Sequence, residues 1–192
     1  MTQKVSIVGR TCYTLGDPRL LDSPKLALFC SIKCPGELIL KLFDLAKELR
    51  DRGVGVSGFH APMDKECFDI LLRGKGPIVW CPVRSIEGMR LKPTYKKAID
   101  DGRLLVVSPF PAKQSRISAQ QAERRNRLVA ALAERVFVAY ADPGGKTEQL
   151  CREVVASGKP LFTFESKHTE NLRAIGAKGL SADEIAIVGG KR

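Results

Sequence analysis

The densest chemistry in the chain lies in Glu123-Arg124-Arg125-Asn126-Arg127, where three guanidinium groups and an amide open the amphipathic stretch Leu128-Val-Ala-Ala-Leu-Ala133. Like charges held this close suit an anion such as phosphate, which a guanidinium fork grips with two parallel hydrogen bonds. A second cluster, Asp142-Pro-Gly-Gly-Lys-Thr-Glu148, sets two glycines ahead of a lysine and a threonine at a helix start. Backbone N–H groups at Gly144 and Gly145, the Lys146 cation and the Thr147 hydroxyl together offer a phosphate-binding corner. The spacing is not that of a P-loop, so ATP hydrolysis does not follow from it. The plain alternative is a turn followed by Glu148, an acid that complements the helix dipole. A third segment, Ser57-Gly58-Phe59-His60-Ala61-Pro62, joins a tight glycine turn to a hydroxyl and an imidazole. No cysteine or serine is tied to His60 by a recognised nucleophile spacing, and His168 sits in a polar loop. Phe110, flanked by prolines, is the candidate ring for stacking on a base.

These clusters recur at one kind of place. Leu26–Cys30 is a short continuous apolar run, as expected of a strand covered on both faces. A helix follows from Pro35-Gly36, with Leu38, Leu42, Leu45, Ala46 and Leu49 at three- and four-residue steps and Gly53 as its stop. The pattern continues with a strand at Val54–Ser57, a helix from Met63 to Leu72 and a strand at Ile78–Cys81. Next come a helix at Pro93–Asp100 and a strand at Leu104–Val107. The arginine-headed helix from Ser118 to Glu134, a strand at Val136–Tyr140, a helix to Ser157 and a strand at Leu161–Phe164 complete it. Such alternation predicts an α/β, three-layer Rossmann-like fold with a mostly parallel sheet. Ligands on such sheets bind beyond the carboxyl ends of the strands, where Cys30–Lys33, Ser57–Pro62, Ser108–Lys113 through Arg127, and Asp142–Glu148 fall. The chain reads as one domain over 1–192, with an edge strand and lead-in loop at 1–25 and the core at 26–188. Trp80 and Phe137 belong to strand runs and are expected in the core.

Net charge is +11, and between Arg84 and Arg135 twelve basic residues face only five acidic ones. A solvating charge would be spread more evenly, so this looks like the footprint of a polyanion. The six cysteines contain no C-x-x-C pair and only two histidines accompany them, so neither a metal nor another cofactor is expected. Cys30, Cys67, Cys81 and Cys151 lie in apolar segments, as buried free thiols do. Met1-Thr-Gln-Lys4 lacks the apolar core of a signal peptide and no run reaches membrane-spanning length, so a reducing cytoplasm is the expected compartment, with no membrane partner.

The order of these motifs resembles the Rossmann core of the DprA/Smf family of DNA-processing proteins. The similarity runs from Gly9 to Ile185. It is carried by Gly16–Lys25, Leu26–Ser31, Val54–Asp64, Gly176–Ile185 and most closely by Ser108-Pro-Phe-Pro111 followed by Arg125-Asn126-Arg127-Leu-Val-Ala-Ala-Leu132. The resemblance implies a dimeric, non-enzymatic protein that binds single-stranded DNA at the strand edge and loads a recombinase during DNA uptake. It implies ligand contacts at Ser31, Lys33, Ser57, Gly58, Lys113, Arg116, Arg125, Asn126 and Arg127, with Arg124 beside them in the same basic run. The chain departs from that pattern at Cys30-Ser31-Ile32, where the family has glycine-serine-arginine, and at Phe59-His60-Ala61-Pro62, where an arginine and a glycine are usual. Gly144-Gly145-Lys146-Thr147 with Glu148 is similar to the motif of LOG-type nucleotide phosphoribohydrolases but is one position short. The second reading is therefore a nucleotide sensor or an N-glycosidic hydrolase. A purely structural protein with a basic surface ranks third.

Overall fold

The computed structural model describes residues 2–52, 54–112, 117–181 and 184. In chain order the elements are β1 (Gln3–Ile7), β2 (Arg10–Leu15), β3 (Lys25–Phe29), α1 (Gly36–Leu49), β4 (Val54–Ser57), α2 (Pro62–Leu72), β5 (Ile78–Trp80), α3 (Pro93–Asp100) and β6 (Leu104–Ser108). They continue with α4 (Ala119–Leu132), β7 (Arg135–Val138), α5 (Lys146–Ala156), β8 (Leu161–Phe164), α6 (Glu170–Ala174) and β9 (Lys178–Leu180). Among the described residues the strands form one sheet in the order β1-β2-β6-β5-β4-β3-β7-β8-β9. Pairing is parallel from β6 through to β9 and antiparallel only at β1–β2 and β2–β6.

The three layers follow from the apolar pattern. In β3 every side chain is buried: Leu26 and Leu28 point to one face, Ala27 and Phe29 to the other. Leu26 and Leu28 meet Leu38, Leu42, Leu45 and Leu49 of α1 and Phe68 and Leu71 of α2. On the opposite face Ala27 and Phe29 join Leu128, Val129 and Leu132 of α4 with Leu150, Cys151 and Val154 of α5. In α4, Ser118 and Gln121 form a reciprocal capping box that satisfies the first-turn N–H groups. The buried positions Arg125, Leu128, Val129 and Leu132 then recur at three- and four-residue steps.

The amino-terminal segment is a hairpin rather than the single edge strand and loop that the sequence suggests. Its two-residue turn holds Val8 at φ 48° and Gly9 at φ 67°. Positive φ at both central positions is the mirror-image turn whose twist matches the strands it joins. The sequence signal is weak because valine, left 60% exposed, occupies a position that asparagine or glycine usually fills. Gly53, expected to stop α1, and Ile185, at the end of the closing segment, lie outside the described residues.

β3 and β7 are neighbours whose connections diverge. The chain leaves β3 through α1 towards β4, and leaves β7 through α5 towards β8 on the other face. That divergence opens a crevice beyond their carboxyl ends. Among the described residues no helix is long and apolar enough to cross a membrane.

Leu128 is fully buried and Leu40, on the outer side of α1, is 67% exposed. Leu128→Ala should lower the unfolding free energy by about 2–5 kcal/mol, and Leu40→Ala should change it by less than about 0.5 kcal/mol. Urea denaturation followed by circular dichroism measures both.

Candidate functional site

The crevice between β3 and β7 brings Ser31 against the Asp142–Thr147 turn. Ser31 N–H donates to the Tyr140 carbonyl at 2.9 Å. Its hydroxyl donates to Thr147 Oγ1 at 3.2 Å and accepts from Asp142 N–H at 3.3 Å. Gly144 turns the chain at φ +70°, while a Cβ on Gly145 would come within 2.9 Å of the Asp142 carbonyl. The Gly145 N–H donates to that carbonyl at 2.9 Å, and the Gly144 N–H donates to Glu148 Oε2 at 3.2 Å. Glu148 also accepts from Asn171 Nδ2 at 2.7 Å and Arg152 Nη2 at 2.8 Å, and these hydrogen bonds hold its carboxyl below the usual range. Glu148 therefore anchors the glycine turn. Lys146, the remaining cation of this corner, pairs with Glu123 across the α4–α5 groove.

The ends of β4 and β5 are organised by Arg125. Its position one turn ahead of Leu128 and Val129 puts the side chain on the buried stripe of α4, where it is 5% exposed. Nη1 donates to the Cys81 carbonyl at 3.0 Å and Nε to Asn126 Oδ1 at 2.8 Å. The guanidinium rests on Gly58, where an added Cβ would fall 1.3 Å from Nη1. Arg125 is thus an internal tie between α4 and two strand ends. Ser57 is buried as well, and its hydroxyl accepts from the Phe59 N–H at 3.4 Å to hold the positive-φ turn at Phe59. Trp80 is half-buried, not a full core residue, and its Nε1 donates to the Gly58 carbonyl at 3.2 Å. Phe137 is fully buried.

Asp64 in the first turn of α2 faces Arg125. Burial pushes its carboxyl up to about 7, against the opposing pull of Arg125 and of the Ala61 and His60 N–H groups. Burial also draws the Arg125 pKa down. Burial first, then the Arg125 and Lys65 charges, pull His60 below the usual imidazole value and favour its neutral form. Gly58, Phe59, His60, Trp80, Val83 and Ile117 line a shallow recess here.

Phe110 is 1% exposed and so unavailable to a base; its ring supports the Arg124 guanidinium, 5.7 Å from the ring centroid. Arg124 itself is exposed. Arg127 points away to α5, where Nε and Nη2 each reach a Glu153 carboxylate oxygen at 2.8 Å. Lys33 after β3, Lys65 after β4 and Arg84 after β5 are exposed, and among the described residues none has an ion-pair partner. Lys113 and Arg116 lie outside the described residues. Lys65, in the first turn of α2, and Arg84, in the segment after β5, were not among the ligand contacts expected from the sequence, although Arg84 opens its basic stretch. Among the described residues no group of three or more His, Cys, Asp or Glu could hold a metal ion. Cys12, Cys30, Cys67, Cys81 and Cys151 are buried and Cys34 is half-buried, all as free thiols.

Gly58→Ala should displace the Arg125 guanidinium and lose about 1–3 kcal/mol from the broken buried hydrogen bonds. In an Arg125→Ala background the same change should cost markedly less, a coupling that a double-mutant cycle in urea measures. For Asp64, the folded chain keeps its proton up to about 7 while the unfolded chain releases it near 3.8. The folded state binds more protons in that window, so stability falls as pH rises through it. Asp64→Asn should flatten this slope and leave the variant the more stable protein above the window; parallel pH profiles of the urea midpoint would refute the shifted carboxyl.

The same arrangement of elements is found in known proteins. The X-ray structure of DNA processing protein A (DprA) from Streptococcus pneumoniae superposes with a TM-score of 0.76 at 19% identity, over 95% of this chain and 67% of that one. A structure of DNA processing protein A from Helicobacter pylori, described for its single-stranded DNA binding mode, gives a TM-score of 0.78 at 20% identity, over 97% of this chain and 94% of that one. At these identities the likeness is one of fold. No curated protein matches the chain. The family described as DNA recombination-mediator protein A matches residues 3–189, and the chain belongs to that family.

Proposed function

We propose that the carboxyl edge of the sheet binds single-stranded DNA in a non-enzymatic step of DNA recombination. The observation that carries this reading is the row of exposed cations along that edge. Arg124 lies beside the end of β6, Arg84 follows β5, Lys65 follows β4 and Lys33 follows β3. Adjacent strands lie about 4.8 Å apart, so charges distributed over four neighbouring strand ends span on the order of 14 Å. A row of that length suits several phosphates of one extended strand better than one nucleotide. The recess beside His60 and Trp80 has apolar walls that a splayed base would fill, and only an unpaired strand offers such a base. The family assignment and the Helicobacter pylori relative support the same direction.

Within this reading Lys33, Lys65, Arg84 and Arg124 touch phosphates, while Arg125 and Ser57 position the edge. The nucleotide alternative draws less support from the geometry, because the Gly144 and Gly145 N–H groups, the Lys146 ammonium and the Thr147 hydroxyl are each engaged inside the protein. A strand held at an open edge also stays accessible to a recombinase.

The test is fluorescence anisotropy with labelled oligo-dT and a matching duplex at several salt concentrations. The single strand should bind more tightly. Lys33→Ala, Arg84→Ala and Arg124→Ala each remove one phosphate-binding cation, and each should lower the log–log salt slope by about 0.7. Unchanged affinity in the triple variant would remove this edge as the binding surface.

A further inference from the structure

An imidazole stands among the cations of the carboxyl edge. His60 follows the positive-φ turn at Phe59, is exposed, and borders the same recess as Lys65 of α2 and Arg84 beyond β5. Gly58, Phe59 and Trp80 line that recess as well. The turn that carries the ring is pinned twice, by the Ser57 hydroxyl accepting from the Phe59 N–H and by the Trp80 indole donating to the Gly58 carbonyl. Among the described residues neither imidazole nitrogen has a hydrogen-bond partner. One anchored ring and two exposed cations therefore converge on a single recess.

We propose that His60 is a proton-linked phosphate contact, which takes up a proton as the strand binds and makes the edge hold single-stranded DNA more tightly as pH falls. This rests on the reading of the edge as a DNA-binding surface and adds its regulation. Without a ligand, a third positive charge at the recess is opposed by its neighbours. Burial, and after it the charges of Arg125 and Lys65, accordingly keep His60 below the usual imidazole value. A phosphate seated between Lys65 and Arg84 reverses the sign of the field, because an anion beside an imidazole favours the protonated form. The neutral ring donates through one nitrogen, whereas the imidazolium donates through both. Its charge-assisted hydrogen bond to a phosphate oxygen is roughly twice as strong as a neutral one.

A ring whose pKa is higher in the complex than in the free protein adds affinity in full below its free value. That gain is lost as pH rises through the bound value. Lysine and arginine side chains keep their charge across this range. Lys65, Arg84 and Arg125 near the ring, and Lys92 over the Tyr95 ring that packs on Trp80, therefore contribute a constant attraction. Asp64 in the first turn of α2 also titrates there: its carboxyl is pushed up to about 7, and losing that proton weakens anion binding in the same direction. The two groups have to be separated by substitution.

The experiment titrates oligo-dT carrying a pH-insensitive rhodamine label with the full chain between about pH 5.5 and 8, at constant ionic strength. Thymine has no group that titrates in that range. The wild type should bind about tenfold more tightly at the acid end, equivalent to one unit between the bound and free pKa of the ring. His60→Gln should lose most of that gain, and Asp64→Asn should keep it. The chain has two histidines, so their imidazole proton resonances report the same event directly. Adding the strand should raise the titration midpoint of His60 by more than that of His168, which lies after β8, three strands along the sheet from β4. Binding that does not change with pH, a slope that survives in His60→Gln or vanishes in Asp64→Asn, or an unmoved His60 midpoint would each overturn the proton-linked contact while leaving DNA binding at the edge intact. Absence of binding at every pH would remove the edge as a DNA surface and this contact with it.

Discussion

A guanidinium taken out of water must be given partners, and at the carboxyl edge of this sheet that demand fixes the architecture. Arg125 enters from α4, and its bonds reach the main chain beyond β5 while its plane lies on Gly58 beyond β4. Gly58 has to lack a side chain because the arginine occupies that space. The turn beside it bends through Phe59 at φ 44° and is held by the Ser57 hydroxyl. Asp64 faces the guanidinium from α2, on the other side of the sheet from α4. Four elements are thus coupled through one side chain whose sequence context advertises a surface cation.

The basic run divides its labour accordingly. Arg124 lies exposed on the Phe110 ring, Arg125 is internal, and Arg127 is bound to Glu153. Surface ion pairs of the last kind contribute little to stability. Together with Lys146–Glu123, however, Arg127–Glu153 closes the groove between α4 and α5 and neutralises cations that charge counting assigns to a ligand. What remains for a polyanion is a smaller set, set out across successive strand ends rather than stacked on one helix.

The layered fold was legible in the sequence because each buried strand is a continuous apolar run and each helix carries a clear stripe. Helix and strand boundaries agree with the sequence reading to within two residues at most elements. The inward direction of Arg125, which the sequence reading took for a ligand contact, was nonetheless readable: residues 125, 128, 129 and 132 share one helical face. The pairing of Lys146 with Glu123 was not, since it depends on how closely α4 and α5 approach. Nor was the hairpin, whose turn places valine where the usual signal would be asparagine. The open edge of the sheet was located by a topological rule, but Phe110 shows that a residue at that edge can still be wholly interior.

The sheet order has a bearing on how the chain assembles. β3, the middle one of the parallel strands β6-β5-β4-β3-β7-β8-β9, pairs with β4 nearby but also with β7, matching Leu26 to Arg135, and β2 pairs with β6, matching Tyr13 to Ser108. Both junctions join segments separated by about a hundred residues, so loop-closure entropy opposes them before either ladder has formed. The β3–α1–β4–α2–β5 stretch assembles from neighbours, whereas the hairpin and the central strand's second flank wait for chain made much later. During synthesis, therefore, β3 begins as an unprotected edge.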